Sequence, residues 1–494
     1  MSGPPGLLEQ VRALVASATE IYRGTPGEAR LATVEDRLDE PLRVAIAGKV
    51  KAGKSTLLNA LVGEELAPTS AQECTKVVTW YHDGNTYRVT LHPHRGPPRQ
   101  VPFSRDGGAI EIELGATAAA DIEKLDVEWP SASLRSMTLI DTPGIASLST
   151  DISARTHAFL SPGEDEVTPA DAVLYLMRHL HTTDIRLLET FHDEAVSRAT
   201  PVNAIGILSR ADEVAVGRLD AMESAAKISA RYRGDPKVRR LCQTVLPLAG
   251  LLAQSGTTLR EAEYRALASL AREAPANIEA LLISADRFVG GSEVAGLTSE
   301  ERGHLMDRFG LFGVRLAIDL IRRAVVGTAG QLAGELVKRS GLIELRQTLS
   351  SQFAARRDVL KARSALMALD GVLHDLPLQG TSQLAAEAER VTSGAHELSE
   401  LSLLNAVRSG GVRLKPDEAE ALERLLGAWG TSPAARLDLS SEADPGAIRI
   451  AIQGALARWQ RRAENPLSSR TTAEAARVAV RTCEGLMLHL VSAT

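Results

Sequence analysis

Apolar positions recur at two different periods along this chain, and the changes of period divide it. Between residues 6 and 23, Leu7, Leu8, Val11, Leu14, Val15, Ala18 and Tyr22 fall at i, i+3, i+4 and i+7, the spacing of one helix face. Pro26-Gly27 ends that helix, and a second short one is predicted over 28–39, stopping before Pro41. Neither can bury its apolar stripe alone, so both need a partner from later in the chain. The period then shortens. Apolar runs at 42–47, 77–81, 87–91, 137–140, 171–177, 202–208 and 244–248 read as strands. Helical stretches are predicted at 56–62, from Thr183 to about Ala195, and at 216–232. Asp83-Gly84-Asn85 reads as a hairpin turn between the second and third strands. Strands alternating with helices at this spacing predict an α/β fold with a mostly parallel sheet and helices on both faces. From about 257 to the end the helical period returns. In 353–373, Phe353, Leu360 and Met367 repeat every seven residues, as do Val359, Leu366 and Leu373. That spacing fits a bundle seam or an ordinary core stripe. Asp444-Pro445 forms an N-cap and first-turn pair. It leads Ile448, Ile452, Leu456 and Trp459 along one helix face, and the last helix shows Ala476, Val480, Cys483, Met487 and Leu490. The N-terminal helices are expected to pack on this late helical part.

Composition narrows the class. With 494 residues there is room for several domains, and 44% hydrophobic and 24% charged residues are ordinary for a globular chain. Aromatics are only 3%, while Ala, Leu, Glu and Arg dominate after residue 350, which supports an all-helical region there. A net charge of −6 gives no support to a nucleic-acid partner. Cys74, Cys242 and Cys483 are far apart and match no metal spacing, which suits a reducing, cytoplasmic compartment. The N-terminus lacks a signal-peptide pattern. No apolar run reaches the roughly 18 residues of a spanning helix. Contact with a membrane surface stays open. His92-Pro93-His94 places two histidines two apart, but no acidic or Cys partner stands at a useful spacing, so it reads as loop decoration.

The chemistry lies at predicted strand ends. Gly48-Lys49-Val50-Lys51-Ala52-Gly53-Lys54-Ser55 has the form of a phosphate-binding loop, with a strand before it and a helix beginning at Thr56 after it. Glycines let backbone N–H groups curl around phosphates, and the helix N-terminus adds partial positive charge. Lys54 is expected on the β- and γ-phosphates and Ser55 on Mg²⁺. Asp141 ends an apolar strand, as the Mg²⁺-linked acid of such a site should, and Gly144 is placed to meet a γ-phosphate. Thr75, with Thr69 as competitor, is the candidate hydroxyl closing over Mg²⁺. Ser209-Arg210-Ala211-Asp212 stands where guanine-reading proteins carry Asn or Thr, Lys, any residue, then Asp. Asp212 can accept from guanine N1 and N2, Arg210 can lie over the base, and Ser209 is shorter than Asn. Ala249-Gly250 can offer a backbone N–H to the guanine oxygen. Ile145 follows Gly144, so the usual Gln that orients water is missing. Lys51 is therefore a candidate internal cationic finger, the alternative being a solvated charge that supports binding. A supplied arginine finger gives about 10³–10⁵ in rate, and a Lys less.

Together these residues resemble the dynamin-like GTPases of bacteria. Gly53 to Gly63 is similar to that family's phosphate loop and first helix. Glu73-Cys74-Thr75 is similar to its first switch and Asp141-Thr142-Pro143-Gly144 to its second. The 209–213 phrase, the stretch from Cys242 to Leu251, Trp80-Tyr81, Val127 to Pro130 and Arg308-Phe309-Gly310 resemble the isoniazid-inducible dynamin-like proteins of mycobacteria, the C member of that set above all. The resemblance implies N-terminal helices over 1–40 packing on the bundle, a dynamin-type GTPase domain over 41–350, and a helical neck and trunk over 351–494. It further implies GTP and GDP as ligands, Mg²⁺, homo- or hetero-oligomers with a related dynamin-like protein, and membrane binding or remodelling at the inner face. Val50 and Lys51 replace residues that are often Gln or Ser in the family. The 410–414 loop offers only Val412 and Leu414 as apolar anchors, so lipid contact can fall to a partner. The alternatives are a regulatory GTPase working through a protein partner and a nucleotide-binding scaffold of low turnover.

Overall fold

A computed structural model describes residues 5–67, 77–106, 109–143, 170–178, 203–290 and 294–492. The expectations for Thr69, Cys74, Thr75, Gly144, Ile145 and the helix from Thr183 to Ala195 lie outside these residues.

The sheet contains β1 (Leu42–Gly48), β2 (Thr79–His82), β3 (Arg88–Pro93) and β4 (Arg99–Gln100). A separate hairpin of β5 (Phe103–Asp106) and β6 (Ala109–Ile112) precedes β7 (Ile122–Glu128), β8 (Met137–Asp141), β9 (Ala172–Met177), β10 (Ala204–Ser209) and β11 (Thr244–Leu248). The main sheet runs β11-β10-β9-β1-β8-β2-β7-β3-β4. From β11 to β8 every pairing is parallel. Their carboxyl ends therefore face one way, the side where such sheets bind ligands. β1, β9 and β10 are apolar almost throughout and buried, as strands covered on both faces must be.

One expected pairing is corrected. β2 and β3 are consecutive and read as a hairpin, but β7 lies between them, parallel to β2 and antiparallel to β3. Ile122, Leu125 and Val127 give β7 an apolar side that fills the gap. The turn residues at 83–85 allow a reversal but do not decide which strand takes the vacant edge.

Helices α1 (Leu7–Ile21), α2 (Pro26–Asp39) and α3 (Lys54–Val62) come first. α4 (Ala221–Gly234), α5 (Pro236–Leu241), α6 (Gly250–Thr257), α7 (Glu261–Arg272), α8 (Ser299–Arg322), α9 (Ala329–Arg339) and α10 (Leu342–Thr348) follow. Then come α11 (Arg357–Asp375), α12 (Thr381–Gly394), α13 (His396–Arg408), α14 (Pro416–Leu425), α15 (Pro445–Glu464) and α16 (Arg470–Ser492). α1 and α2 bury Val11, Val15, Leu31 and Leu38 against Ala365, Leu369 and Val372 of α11. Tyr22 donates to the Leu376 carbonyl at 2.7 Å, and Arg30 pairs with Asp375 at 2.9 Å. The seven-residue repeat does not make one seam. Phe353 and Leu360 join the core shared with the sheet, whereas Leu366 joins the N-terminal helices. Leu360 and Leu366 stand six residues apart in α11, about 120° around the helix, so the two rows of the repeat face different neighbours.

The late helices dock at the amino end of β11. Arg408 donates to the Gln243 carbonyl at 2.8 Å, Gln243 bonds Gln352, and Glu423 sits between Arg239 and Arg408. The 409–415 loop lies on this side as well, with Gly410 near Arg240 and with Val412 and Leu414 packed on the core. Among the described residues no helix is long and apolar enough to cross a membrane.

Candidate nucleotide site

β1 delivers the glycine-rich loop to the carboxyl edge of the sheet. Gly48 has φ 151° and pairs with Leu176 of β9. A Cβ there would sit 2.6 Å from the Leu176 carbonyl oxygen, so the two backbones approach as only glycine permits. Lys49 is half-buried, Val50 is exposed, and Ala52 is buried and closes a turn to the Lys49 carbonyl at 3.1 Å. Lys51 is exposed and has φ 61°, a left-handed conformation unusual for a side chain of this size. Gly53, φ 95°, caps the start of α3. Lys54, Ser55 and Thr56 form the first turn of α3, and Thr56 packs near Gly250 at the start of α6.

Two groups here are short of partners. Ser55 donates to Asp141 Oδ2 at 3.0 Å, while Asp141 Oδ1 is buried with no hydrogen-bond partner among the described residues. Burial pushes the Asp141 carboxyl up, opposed by Lys54 and by the Ser55 hydrogen bond. Burial pushes Lys54 down, opposed by Asp141. The Lys54 ammonium reaches the Gly48 carbonyl only at 3.4 Å. A buried carboxylate oxygen, a hydroxyl and an under-coordinated ammonium beside an N-terminal helix turn form a set suited to a phosphate and a hard divalent cation. Thr142 donates to the Ile46 carbonyl at 2.8 Å, which fastens the strand that carries Asp141.

The 209–212 segment continues from β10 into the same edge. Ser209 is buried and donates to the Met177 carbonyl at 3.2 Å, tying β10 to β9. Arg210, φ 53°, donates to the Lys51 carbonyl at 3.0 Å and to Glu213 at 2.6 Å. Its head thus braces the phosphate loop. Asp212 is 8% exposed, and burial pushes its carboxyl up to about 6. Ala249 corrects an expectation. Its N–H donates to the Ser340 carbonyl at 2.9 Å, so that N–H is spent within the protein.

The supports of the phosphate loop have no motif of their own in the sequence. Asn59 is fully buried in α3, accepts from the Leu66 and Ala67 N–H groups at 2.9 and 2.7 Å, and donates to the Ala67 carbonyl at 2.9 Å. The clue was an amide inside an apolar helical run. His92 lies 3.7 Å from Asp126, and no cluster of three or more His, Cys, Asp or Glu able to hold a metal occurs among the described residues. A Mg²⁺ bound by one carboxylate, a hydroxyl and phosphate oxygens needs no such cluster.

Residues 44–210 match the Dynamin family. The chain is similar to the isoniazid-induced protein IniC of Mycobacterium tuberculosis, 39% identical over 489 residues, which are 97% of this chain and 98% of that protein. It is also similar to a bacterial dynamin-like protein of Nostoc punctiforme, 31% identical over 147 residues, which are 28% of this chain and 20% of that one. An oligomerised bacterial dynamin pair that senses and tethers membranes aligns at 13% identity over 99% of this chain and 79% of that chain, with a TM-score of 0.32. That score is too low to compare domain arrangements.

Proposed function

Because the chain belongs to the dynamin family and is a GTPase, we propose that it hydrolyses GTP with Mg²⁺ at the phosphate loop and couples nucleotide-dependent dimerisation to contact with the inner face of a membrane. The observation that carries the site is the Ser55–Asp141 pair, with its unpartnered carboxylate oxygen beside Lys54. Backbone N–H groups from Gly48 to Thr56 cradle the phosphates, and Lys54 neutralises the β- and γ-oxygens. Ser55 and Asp141, with Thr75, are the residues that would hold Mg²⁺, which would neutralise charge on the phosphate oxygens. Gly144 meets the γ-phosphate. Asp212 accepts from guanine N1 and N2. Arg210 serves chiefly by holding the Lys51 carbonyl, with its stem beside the base, and Ser209 by fixing the strand end. The base-facing N–H falls to Gly250 in place of Ala249. Lys51, exposed on a left-handed turn, is available to place its ammonium against developing phosphate charge once dimerisation excludes water.

Support for membrane contact comes from the last two helices. Between Pro445 and Ser492 there are seven arginines against three glutamates and no aspartate, in a chain whose net charge is −6. Arg449, Arg458, Arg461, Arg470, Arg477 and Arg481 are exposed, and Leu467 at the turn is 93% exposed. An excess of exposed arginines on these helices is attracted to anionic lipid. A related dynamin-like chain is the natural hetero-oligomeric partner where lipid contact is shared.

GTP turnover with and without anionic liposomes tests the reading. Wild type should turn over GTP, faster with lipid and with rising protein concentration. Lys54→Ala should lose about 10²-fold or more, as when a pre-aimed donor to developing charge is removed. Turnover indifferent to lipid and concentration would leave a regulatory GTPase working through a protein partner.

A further inference from the structure

α8 contains a break that the chemistry above does not use. Gly310, inside this 24-residue helix, has φ 63° and ψ 175°, a combination essentially confined to glycine. A Cβ on Gly310 would lie 3.9 Å from Asp212 Oδ2 and 3.5 Å from Leu251 Cδ1. The break therefore brings bare backbone up to the carboxylate assigned to guanine.

The helix is clamped two residues earlier. The Arg308 side chain is 11% exposed. Its Nε donates to Glu263 Oε1 at 2.8 Å, and its Nη2 donates to the Thr258 hydroxyl at 2.8 Å and the Thr258 carbonyl at 3.1 Å. Its Nη1 donates to Glu65, and its own carbonyl accepts from the Ser255 hydroxyl. Glu65 follows α3, the phosphate-loop helix. Thr258 and Ser255 belong to α6 and its end, the helix that starts at Gly250. Glu263 belongs to α7. One guanidinium thus holds α8 to the helices leaving both the phosphate loop and β11. Planar, multidentate contacts of this kind fix orientation better than a single ion pair.

We propose that Arg308 is a positioning residue for guanine recognition: it fixes the α8 break so that Gly310 backs the Asp212 carboxylate and aims its oxygens at the base. This rests on 209–212 being the base-recognising segment. With the break held, the carboxylate cannot swing toward α8, and its back is closed to water. With the break loosened, Asp212 still exists but its aim is averaged over several rotamers. Recognition of the guanine 2-amino group should suffer most, because it depends on direction as well as charge.

The test is competition of GDP, IDP (which lacks the 2-amino group) and ADP against a fluorescent guanine nucleotide, on full-length wild type, Arg308→Lys and Arg308→Gln, with thermal melts in parallel. Arg308→Gln should weaken GDP about tenfold, the loss of roughly one charged hydrogen bond, and weaken IDP much less, so the GDP/IDP ratio contracts. Arg308→Lys should recover part of the ratio. A lower melting temperature with an unchanged ratio would make Arg308 merely structural and overturn the proposal. If Arg308→Gln does not fold, Ser255→Ala removes only the hydroxyl on the Arg308 carbonyl and should contract the ratio in the same direction; an unchanged ratio there overturns the proposal equally. Failure of wild type to prefer GDP over ADP would instead sink the guanine site itself, and this outcome is visible before any variant is compared.

Discussion

Asp212 and Glu400 are both buried carboxylates, and the protein shifts them in opposite directions. Glu400 lies among the late helices. Burial alone would raise it, but hydrogen bonds from His396, from Arg436 at 2.8 and 3.1 Å and from Thr482 at 2.8 Å bring it down to about 2. Asp212 lies at the nucleotide edge, and there burial wins, to about 6. The same contrast runs between the amino end of β11 and the carboxyl edge of the sheet. At its amino end, Glu423 is matched by two guanidiniums. At the carboxyl edge of the sheet, Asp141 Oδ1 lacks a partner among the described residues and Lys54 has only a long contact. At Glu400 and Glu423 the protein itself is the partner and the charge is compensated. At Asp141 and Lys54 charge is left under-compensated, and the arrangement there fits a ligand.

Breaking the compensated end should cost the most stability. Glu423→Ala leaves the buried Arg408 without its carboxylate and should cost about 3–5 kcal/mol by denaturant titration. Guanine nucleotide affinity per folded molecule should be unchanged, and a large loss of affinity would blur the division between the two edges. At the other edge the sign reverses. Asp212→Asn should weaken GTP about 100-fold or more, through two hydrogen bonds to a charged acceptor. It should also raise the melting temperature of the nucleotide-free protein at pH 7, because a costly buried charge is gone; a lower melting temperature would contradict the raised carboxyl.

Titration separates the same pair. The Asp212 pKa is raised on folding, so its favourable contribution is complete below about pH 4 and is lost as pH rises through 6. The Glu400 pKa is depressed, so its contribution is present above about pH 4.5 and lost as pH falls toward 2. Guanine needs the ionised form of Asp212. GTP affinity should therefore fall several-fold between pH 7 and 5.5, and Asp212→Asn should flatten that profile.

Smaller effects set the scale. Asn59→Ala should cost about 1–3 kcal/mol, since it strands buried N–H and carbonyl groups beside the phosphate-loop helix. Arg30→Ala, at a partly exposed pair with Asp375, should cost under about 1 kcal/mol and leave turnover unchanged.

The parts of the site that were legible in the sequence are those whose chemistry is local. Gly48 to Ser55 must be contiguous because one loop has to wrap one phosphate chain. Asp141 and Ser209 to Asp212 were recognisable as polar residues ending apolar runs. The α/β character, the late helices and the apolar stripes of α1 and α2 were also visible, since the period of buried positions reports local backbone geometry.

What tertiary structure alone decided are relations between distant residues. β7 takes the edge between β2 and β3 although the turn at 83–85 permits a direct hairpin. Ser340 claims the Ala249 N–H, Arg210 turns to the phosphate loop, and the heptad repeat of 353–373 is shared between two cores. Arg308 meets Glu65, and Gly310 meets Asp212. None of these contacts leaves a period or a spacing in the chain, because each is selected by which surfaces remain to be buried once the local elements have formed.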